Sequence, residues 1–303
     1  MSLNKALHSC PQAIERVVAW YFVKDGFNII DAHVHYAGIF LPKNMSIVDY
    51  MDANSIDAAI VNTLNTRANL SDVMRQDPAV LRKKIQEPAF ELFADFRLAG
   101  QPDHEPVLSL LKQYPDRVIP FFWYNPNDPA DPEQQEGLAI VSRALDQGFK
   151  GVKIQPAMTP CSIEQLFPVG ELLSELGLPL YIHPNAGLFA AKKTEASEIA
   201  TLARKLPALN IILGHAAYNM EFCIEALLQL QGFPNVFAET SQSIPYGIIM
   251  CVKILGAKRV LFGSDAPSAT PFTIEYQKVA LLDIPEKDKA LVLGGNVKRL
   301  LQL

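Results

Sequence analysis

Hydrophobic positions along the chain form eight short runs, each rich in β-branched or aromatic residues and each followed by polar turn residues. Runs that are apolar on both faces and alternate with helices are typical of a parallel sheet covered by helices. The predicted strands span residues 28–35, 58–63, 118–124, 151–155, 178–183, 210–215, 235–239 and 260–265.

Amphipathic segments with a helical period lie between these runs, among them "PEQQEGLAIVSRALDQG" and "TEASEIATLARKLP". Several begin at Ser, Thr or Asp and end at Gly or Pro, which are helix start and stop signals. Eight alternating units predict an α/β fold of the closed (β/α)8 TIM-barrel type. An open doubly wound sheet is the alternative, but the first strand is not followed by the G-x-G-x-x-G turn that such sheets use to bind phosphate.

Two segments extend this barrel. An amphipathic stretch within residues 1–27 precedes the first strand and is predicted to cap the bottom of the barrel. Residues 64–117 form a long insertion with helical periodicity between the second and third strands, and insertions at that rim usually build part of a substrate pocket. Because no low-complexity linker or further repeat occurs, we predict a single domain over residues 1–303.

Composition excludes several classes of function. The chain has 303 residues, 49% of them hydrophobic and 19% charged, with a net charge of −5. Nucleic acid is therefore not an expected partner, since phosphates require a basic face. Cys10, Cys161, Cys223 and Cys251 lack the spacing of a metal or redox motif and indicate reduced thiols. The longest apolar stretch contains Lys253 and is too short for a membrane span, so we expect a soluble, cytoplasmic protein without a membrane partner.

Polar side chains end most of the predicted strands. His33 and His35 are two residues apart, so both side chains point to one face of the first strand. Four further polar residues end the fourth, fifth, sixth and eighth strands: Lys153, His183, His215 and Asp265. Chemistry in such barrels takes place at the carboxyl ends of the strands. A lone histidine there is often only a hydrogen-bonded core residue, but convergence of four of the chain's six histidines indicates a metal site.

Imidazole and carboxylate groups are ligands that Zn²⁺ and similar divalent ions accept, and a catalytic site leaves one position open for water. Such an ion lowers the pKa of its bound water to about 7 and polarises a carbonyl group. Asp265 can then accept the proton of that water.

The motifs "DAHVH", "GVKIQP", "LYIHPN", "LGHAA" and "LFGSDAP" occur in this order and resemble those of the amidohydrolase superfamily. The likeness is greatest to its amidohydrolase-2 branch, which includes proteins similar to aminocarboxymuconate-semialdehyde decarboxylase. The closing "LVLGGNVKRLL" is similar to the C-terminal helix of that branch. The resemblance covers about residues 28–303.

This resemblance implies that His33, His35, His183 and Asp265 bind the metal and that Asp265, His215 and Lys153 are catalytic. His215 would act as a proton shuttle or transition-state donor, with a purely structural hydrogen-bonding role as the alternative.

Lys153 leaves the number of ions open. In binuclear relatives such as dihydroorotase, a lysine in a similar context is carboxylated and bridges two metals, the second held by His183 and His215. In the amidohydrolase-2 branch a similar lysine is more often an unmodified ammonium group. We favour one divalent ion, Zn²⁺, and keep a binuclear site with carboxylated Lys153 as the alternative.

Further residues near the predicted rim are candidates for substrate binding. Arg67 suits a substrate carboxylate, although a surface arginine is an equal alternative. The other candidates are Tyr124, for which barrel packing is the alternative, and Asn185, Tyr218 and Ser268. We expect Glu239 and Ser241 only to support the site.

Taken with the resemblance, these residues predict a metal-dependent hydrolase of a small amide, lactone or ester. The alternative is a metal-dependent, non-oxidative decarboxylase of an unsaturated or aromatic carboxylate. A single rim arginine favours hydrolysis, since several would suit an acidic substrate. A non-catalytic metal-binding barrel is the third reading. The expected partner is a small-molecule substrate, with a homodimer kept open.

Overall fold

A computed structural model describes residues 26–63, 77–86, 98, 100–184 and 195–303 of the chain. Its strands all pair in parallel, in one three-stranded and one six-stranded sheet. They are β1 (Ile30–His35), β2 (Ala58–Asn62), β3 (Val118–Pro120), β4 (Phe122–Trp123), β5 (Val152–Ile154), β6 (Leu180–Ile182), β7 (Ile211–Leu213), β8 (Val236–Glu239) and β9 (Val260–Leu261).

The two sheets are parts of one closed barrel. Only Phe121 separates β3, which pairs with β2, from β4, which pairs with β5. At the other edge, Val34 forms a bridge with Ala266. The backbone N–H of Ala32 donates to the carbonyl of Phe262 at 2.8 Å. The predicted (β/α)8 barrel is therefore confirmed, with its third strand divided into two short pieces.

Most helices lie between successive strands, as the amphipathic pattern predicts, and the last three follow the final strand. Their ends use the expected signals: Ser46 and Asp49 form a capping box at the first helix, and Gly177 ends the fifth with a φ of 67°. The helices are α1 (Ile47–Ala53), α2 (Pro78–Ile85), α3 (Glu105–Gln113), α4 (Gln135–Asp146), α5 (Phe167–Leu176), α6 (Ala196–Lys205), α7 (Met220–Leu230), α8 (Pro245–Leu255), α9 (Phe272–Ala280), α10 (Glu286–Ala290) and α11 (Asn296–Leu301).

Buried side chains form two layers. The larger layer packs between the strands and the helices, and the smaller fills the barrel itself with residues such as Ile60, Phe121 and Ile212. Val297 and Leu300 of α11 belong to this inner cluster. The C-terminal helix therefore packs against the barrel interior.

Part of the predicted extensions is described. Helices α2 and α3 lie in the insertion between β2 and β3, which confirms its helical character in residues 78–85 and 105–113. The predicted N-terminal cap lies outside the described residues except for residues 26 and 27. Where the chain is described, none of its helices combines the length and apolarity of a membrane span. In those ranges Cys223 and Cys251 are buried thiols outside any disulfide.

Candidate metal centre

The strand-end residues predicted from the sequence meet at one end of the barrel. Asp265 lies at the centre of this group. Its Oδ1 is 3.3 Å from Nε2 of His35 and 3.6 Å from Nε2 of His33. Its Oδ2 is 3.9 Å from Nε2 of His215, and that nitrogen is 3.0 Å from Nδ1 of His183.

An irregularity in β1 directs the paired histidines inward. Ile30 and Ala32 belong to the inner cluster, whereas Val34 packs in the outer layer. The pairing register of β1 with β2 shifts between Asp31 and Val34, which is the signature of a bulge. Bulges re-aim side chains near active sites, and this one leaves His33 and His35 on the interior face.

His215 and Asp265 lie just beyond their strands in left-handed backbone conformations, with φ values of 48° and 56°. Non-glycine residues rarely adopt this region, and each such residue costs about 1–3 kcal/mol. Backbone bonds hold both residues there: His215 N–H donates to Oε2 of Glu239 at 3.1 Å, and Asp265 N–H donates to the carbonyl of His33 at 2.7 Å.

The donor set fits a divalent ion. Two groups of three residues within the described ranges could each hold an ion, because the ligand atoms of each group all lie within 4.8 Å of one another. The groups are His33, His35 and Asp265, and His33, His183 and His215. Imidazole nitrogen with carboxylate oxygen suits zinc and related transition metals. Nδ1 of His35 lies 3.2 Å from the carbonyl of Thr63, so it can donate its proton there and leave Nε2 free for a metal.

The ionisation states also suit a cation site. Burial, reinforced by the charge of Lys153, lowers the pKa of His33 to about 3 and lowers that of His35. Burial, with His215 as the next cause, holds the pKa of His183 well below its usual value. Burial opposes ionisation of Asp265, but the nearby imidazoles outweigh it and hold the carboxyl pKa well below its usual range. Neutral imidazole and ionised carboxylate are the forms that bind metals.

Lys153 is part of the same group. Its side chain is 1% exposed, and Nζ lies 2.7 Å from Nε2 of His33. Burial lowers its pKa to about 8, with attraction to Asp265 and Glu239 acting in the opposite direction. Lys153 is therefore still largely an ammonium group at pH 7, and it donates to a nitrogen that a metal would use.

Three neighbours of this group were either not predicted from the sequence or expected only to support the site. Tyr181 and Glu239 are fully buried, and the Tyr181 hydroxyl donates to Oε2 of Glu239 at 2.7 Å. Tyr181 lies two residues before His183 on β6, so the two-residue strand period could have identified it. Gln242 donates from Nε2 to Oδ2 of Asp265. It lies in a loop, and no local pattern marks it.

The predicted substrate-binding residues have different placements. The backbone N–H of Ser268 donates to the carbonyl of Asp265 at 3.1 Å, so Ser268 borders the site. Tyr218 is half-buried, with its ring 5.7 Å from that of Phe222 on α7. Arg67 and Asn185 lie outside the described residues.

The structure corrects the placement of Tyr124. Its side chain is fully buried in the outer layer, and its hydroxyl donates to Oε1 of Gln134 at 2.9 Å. The third strand alternates faces, with Ile119 and Phe121 in the inner cluster and Phe122 in the outer layer, so Tyr124 follows Phe122 outward.

Comparison with known proteins identifies the family. The sequence model of the amidohydrolase-2 type, described as amidohydrolase, matches residues 30–303. The chain belongs to the amidohydrolase family. The resemblance in its strand-end motifs is therefore confirmed, and the chain is an enzyme of the amidohydrolase superfamily. No curated protein matches it.

Solved structures of this amidohydrolase's relatives share its barrel. A TIM-barrel protein from Bordetella bronchiseptica has a TM-score of 0.65 at 18% identity, with coverage of 90% of this chain and 98% of its own. The 5-carboxyvanillate decarboxylase of Novosphingobium aromaticivorans, in complex with manganese and 4-hydroxy-3-methoxy-5-nitrobenzoic acid, has a TM-score of 0.61 at 18% identity, with coverage of 92% and 97%. The dihydroxybenzoic acid decarboxylase of a Polaromonas species, with manganese and 2-nitroresorcinol, has a TM-score of 0.60 at 19% identity, with coverage of 91% and 97%.

Proposed function

We propose that this amidohydrolase-family enzyme catalyses the metal-dependent, non-oxidative decarboxylation of a small aromatic or unsaturated carboxylate. The observation that carries the proposal is the ammonium group of Lys153, which lies within the ring of metal-binding side chains, 2.7 Å from Nε2 of His33. A buried cation at this position gives an anionic substrate a charge partner without a cluster of arginines. A scarcity of arginines at the rim therefore does not favour hydrolysis over decarboxylation.

The structural neighbours support the same choice. Two barrels of similar fold are decarboxylases of hydroxylated benzoates and hold manganese. We propose one divalent ion bound by His33, His35, His183 and Asp265. Zn²⁺ is the prediction from the sequence, and Mn²⁺ is the first ion to test beside it, since nitrogen and carboxylate donors suit both.

In the proposed reaction the bond between the substrate carbon and its carboxylate breaks, CO₂ leaves, and the electron pair stays on the carbon, which then takes up a proton. A bound divalent ion supplies positive charge that holds an anionic substrate oxygen and stabilises the electron pair. Lys153 binds a second anionic oxygen of the substrate through its ammonium group.

His215 is the proposed proton donor. Its Nδ1 lies 2.9 Å from Oγ of Ser241, which fixes the ring and leaves Nε2 toward the centre of the site. In the imidazolium form, Nε2 gives its proton to the substrate carbon; this nitrogen lies 3.9 Å from Oδ2 of Asp265. Nδ1 of His183, a proposed metal ligand, lies 3.0 Å from the same nitrogen and helps to hold the His215 ring in place.

The test is product analysis with hydroxylated benzoates and small lactones or amides, using protein loaded with Mn²⁺ or Zn²⁺. Decarboxylation in D₂O should release one CO₂ per product and place one deuteron on the carbon that lost the carboxylate. The Asp265→Asn variant should form no product. The His104→Gln variant, changed at a buried histidine in the outer layer that stacks on Phe122, should remain active.

The same experiment separates the two functions. Incorporation of ¹⁸O from labelled water into a product carboxylate, with no CO₂ released from any benzoate, would support the hydrolase alternative and contradict the proposal.

The substrate class, the cellular compartment and the domain organisation are proposed from composition and from the family match. The net charge of −5 supports a small-molecule substrate. The buried thiols of Cys223 and Cys251 support a reducing, cytoplasmic compartment. The match of one family over residues 30–303 supports a single catalytic domain.

A further inference from the structure

Glu239 ends β8 and is completely buried behind the metal-binding side chains. Four donors point to its two carboxylate oxygens. The backbone N–H of Ser241 donates to Oε1, while the Ser241 hydroxyl (2.7 Å), the Tyr181 hydroxyl (2.7 Å) and the backbone N–H of His215 (3.1 Å) donate to Oε2. Because every partner is a donor, Glu239 acts purely as an acceptor.

These bonds fix where two other protons lie. A hydroxyl group has one hydrogen. Since Tyr181 gives its hydrogen to Glu239, its oxygen must accept from Nδ1 of His33, which lies 2.8 Å away. Ser241 likewise gives its hydrogen to Glu239, and its oxygen lies 2.9 Å from Nδ1 of His215 and, at a longer distance of 3.1 Å, from Nδ1 of His33. Both histidines therefore carry a hydrogen on Nδ1 and direct a free Nε2 to the centre of the site.

Lys153 gives independent support for this assignment. Its ammonium group has only donors, and it lies 2.7 Å from Nε2 of His33. That nitrogen must accept, so the proton of a neutral His33 ring lies on Nδ1. The hydrogen bonds at Nδ1 and at Nε2 of His33 therefore assign the ring proton to the same nitrogen, Nδ1.

Two glycines make room for the buried pair. A Cβ atom on Gly214 would lie 2.6 Å from the hydroxyl oxygen of Tyr181, and one on Gly263 would overlap Oε1 of Glu239. Gly214 immediately precedes His215, and Gly263 lies two residues before Asp265. The glycines of the "LGH" and "FGSD" motifs therefore allow Tyr181 and Glu239 to approach the neighbouring strands.

We propose that Glu239 is a positioning residue that sets the proton-bearing nitrogen of His33 through Tyr181 and of His215 through Ser241. The inference rests on the proposed metal site, because its purpose is to present two Nε2 atoms to a divalent ion and its substrate. The hydrogen-bonding partners of a metal-binding histidine typically change metal affinity or activity by about 10- to 100-fold when they are removed.

The most selective test is Tyr181→Phe, which deletes one oxygen. The ¹⁵N shifts are compared in metal-free protein carrying ¹⁵N-labelled histidine and the Lys153→Met substitution, where no ammonium group holds Nε2 of His33 as an acceptor. In that background Tyr181→Phe should move the side-chain ¹⁵N shifts of His33 away from the form protonated on Nδ1, because only the longer contact with Ser241 at 3.1 Å remains. Those of His215 should not move, because Ser241 still connects it to Glu239. The Kd for Mn²⁺ should rise by about 10- to 100-fold. The matched control is Tyr50→Phe, since Tyr50 is a buried tyrosine whose hydroxyl instead accepts from Phe272 N–H at 2.9 Å, and it should match the wild type in both measurements.

Glu239→Gln provides a second variant in the same background, with similar shape but no charge. The larger change is again expected at His33, because His215 retains the backbone carbonyl of Ser241 at 3.1 Å as an acceptor. If this variant does not fold, the Tyr181→Phe measurements decide alone. Unchanged ¹⁵N shifts of His33 on adding Tyr181→Phe to Lys153→Met, together with a Kd within twofold of the wild type in Tyr181→Phe, would overturn the proposal.

Failure of the two proposals can be told apart. A wild-type protein that binds neither Mn²⁺ nor Zn²⁺ would contradict the proposed function. The ¹⁵N shifts are measured without metal, so they report on the proton positions in either case.

Discussion

Replacement of Lys153 by methionine should strengthen binding of a divalent ion. In the metal-free site the ammonium group of Lys153 donates to Nε2 of His33 over 2.7 Å, and an ion needs the same lone pair. Methionine has a similar length and no charge. The variant therefore removes a competing cation with little change in the packing of a side chain that is 1% exposed.

The size of the effect follows from the bond that the ion must break. A hydrogen bond to a charged group contributes about 1.5–3 kcal/mol. At about 1.4 kcal/mol for each factor of ten, its loss corresponds to a Kd lower by about 10- to 100-fold in Lys153→Met. Because the pKa of Lys153 is lowered to about 8, competition is present at pH 7 and declines above pH 8. Wild-type affinity should thus rise from pH 7 to pH 9 more than that of the variant.

Isothermal titration of metal-free protein with Mn²⁺ and Zn²⁺ measures both affinity and stoichiometry. Lys150→Met is the matched control, since Lys150 is exposed just before β5 and should leave the Kd unchanged. A higher Kd in Lys153→Met, or a fall from two bound ions to fewer, would show that Lys153 does not compete with the ion for His33. That result would instead support the binuclear site with a carboxylated Lys153.

Three other predictions concern substitutions of His33, His215 and His104. His33→Ala should lose bound metal as well as turnover, whereas His215→Ala should lose turnover but keep its metal by elemental analysis; loss of metal from both would indicate two ions. His104 accepts from Trp123 N–H at 2.8 Å, and burial lowers its pKa from 6.5 to about 4. Protonation therefore destabilises the fold as the pH falls from 6.5 to 4, by up to about 3 kcal/mol. In urea unfolding His104→Gln should lose that part of the decline, and an identical pH dependence would contradict this role.

The sequence was sufficient to predict the barrel and most of the residues that meet in the candidate metal centre. The two-residue period of a strand places Lys153 inward, because Val152 and Ile154 on either side of it face the outer layer. The same alternation places Tyr181 and His183 on one face. The same rule, applied to the third strand, would have turned Tyr124 outward. These features follow from alternation along single strands, which a sequence displays directly.

Other features depend on contacts between distant segments. The bulge between Asp31 and Val34 and the positive φ of His215 and Asp265 arise from neighbouring strands, so no local pattern marks them. Gln242 reaches Asp265 from a loop for the same reason. The choice of decarboxylation over hydrolysis also depends on such a contact, because the proximity of Lys153 to His33 is visible only in three dimensions.

The most direct measurement is anomalous diffraction at the manganese edge from crystals grown with excess Mn²⁺. The proposed metal site predicts a peak at the carboxyl ends of the strands, within bonding distance of Nε2 of His33, Nε2 of His35 and the carboxylate of Asp265. A fully ordered site with no peak there, or an ion bound only elsewhere on the protein, would contradict it.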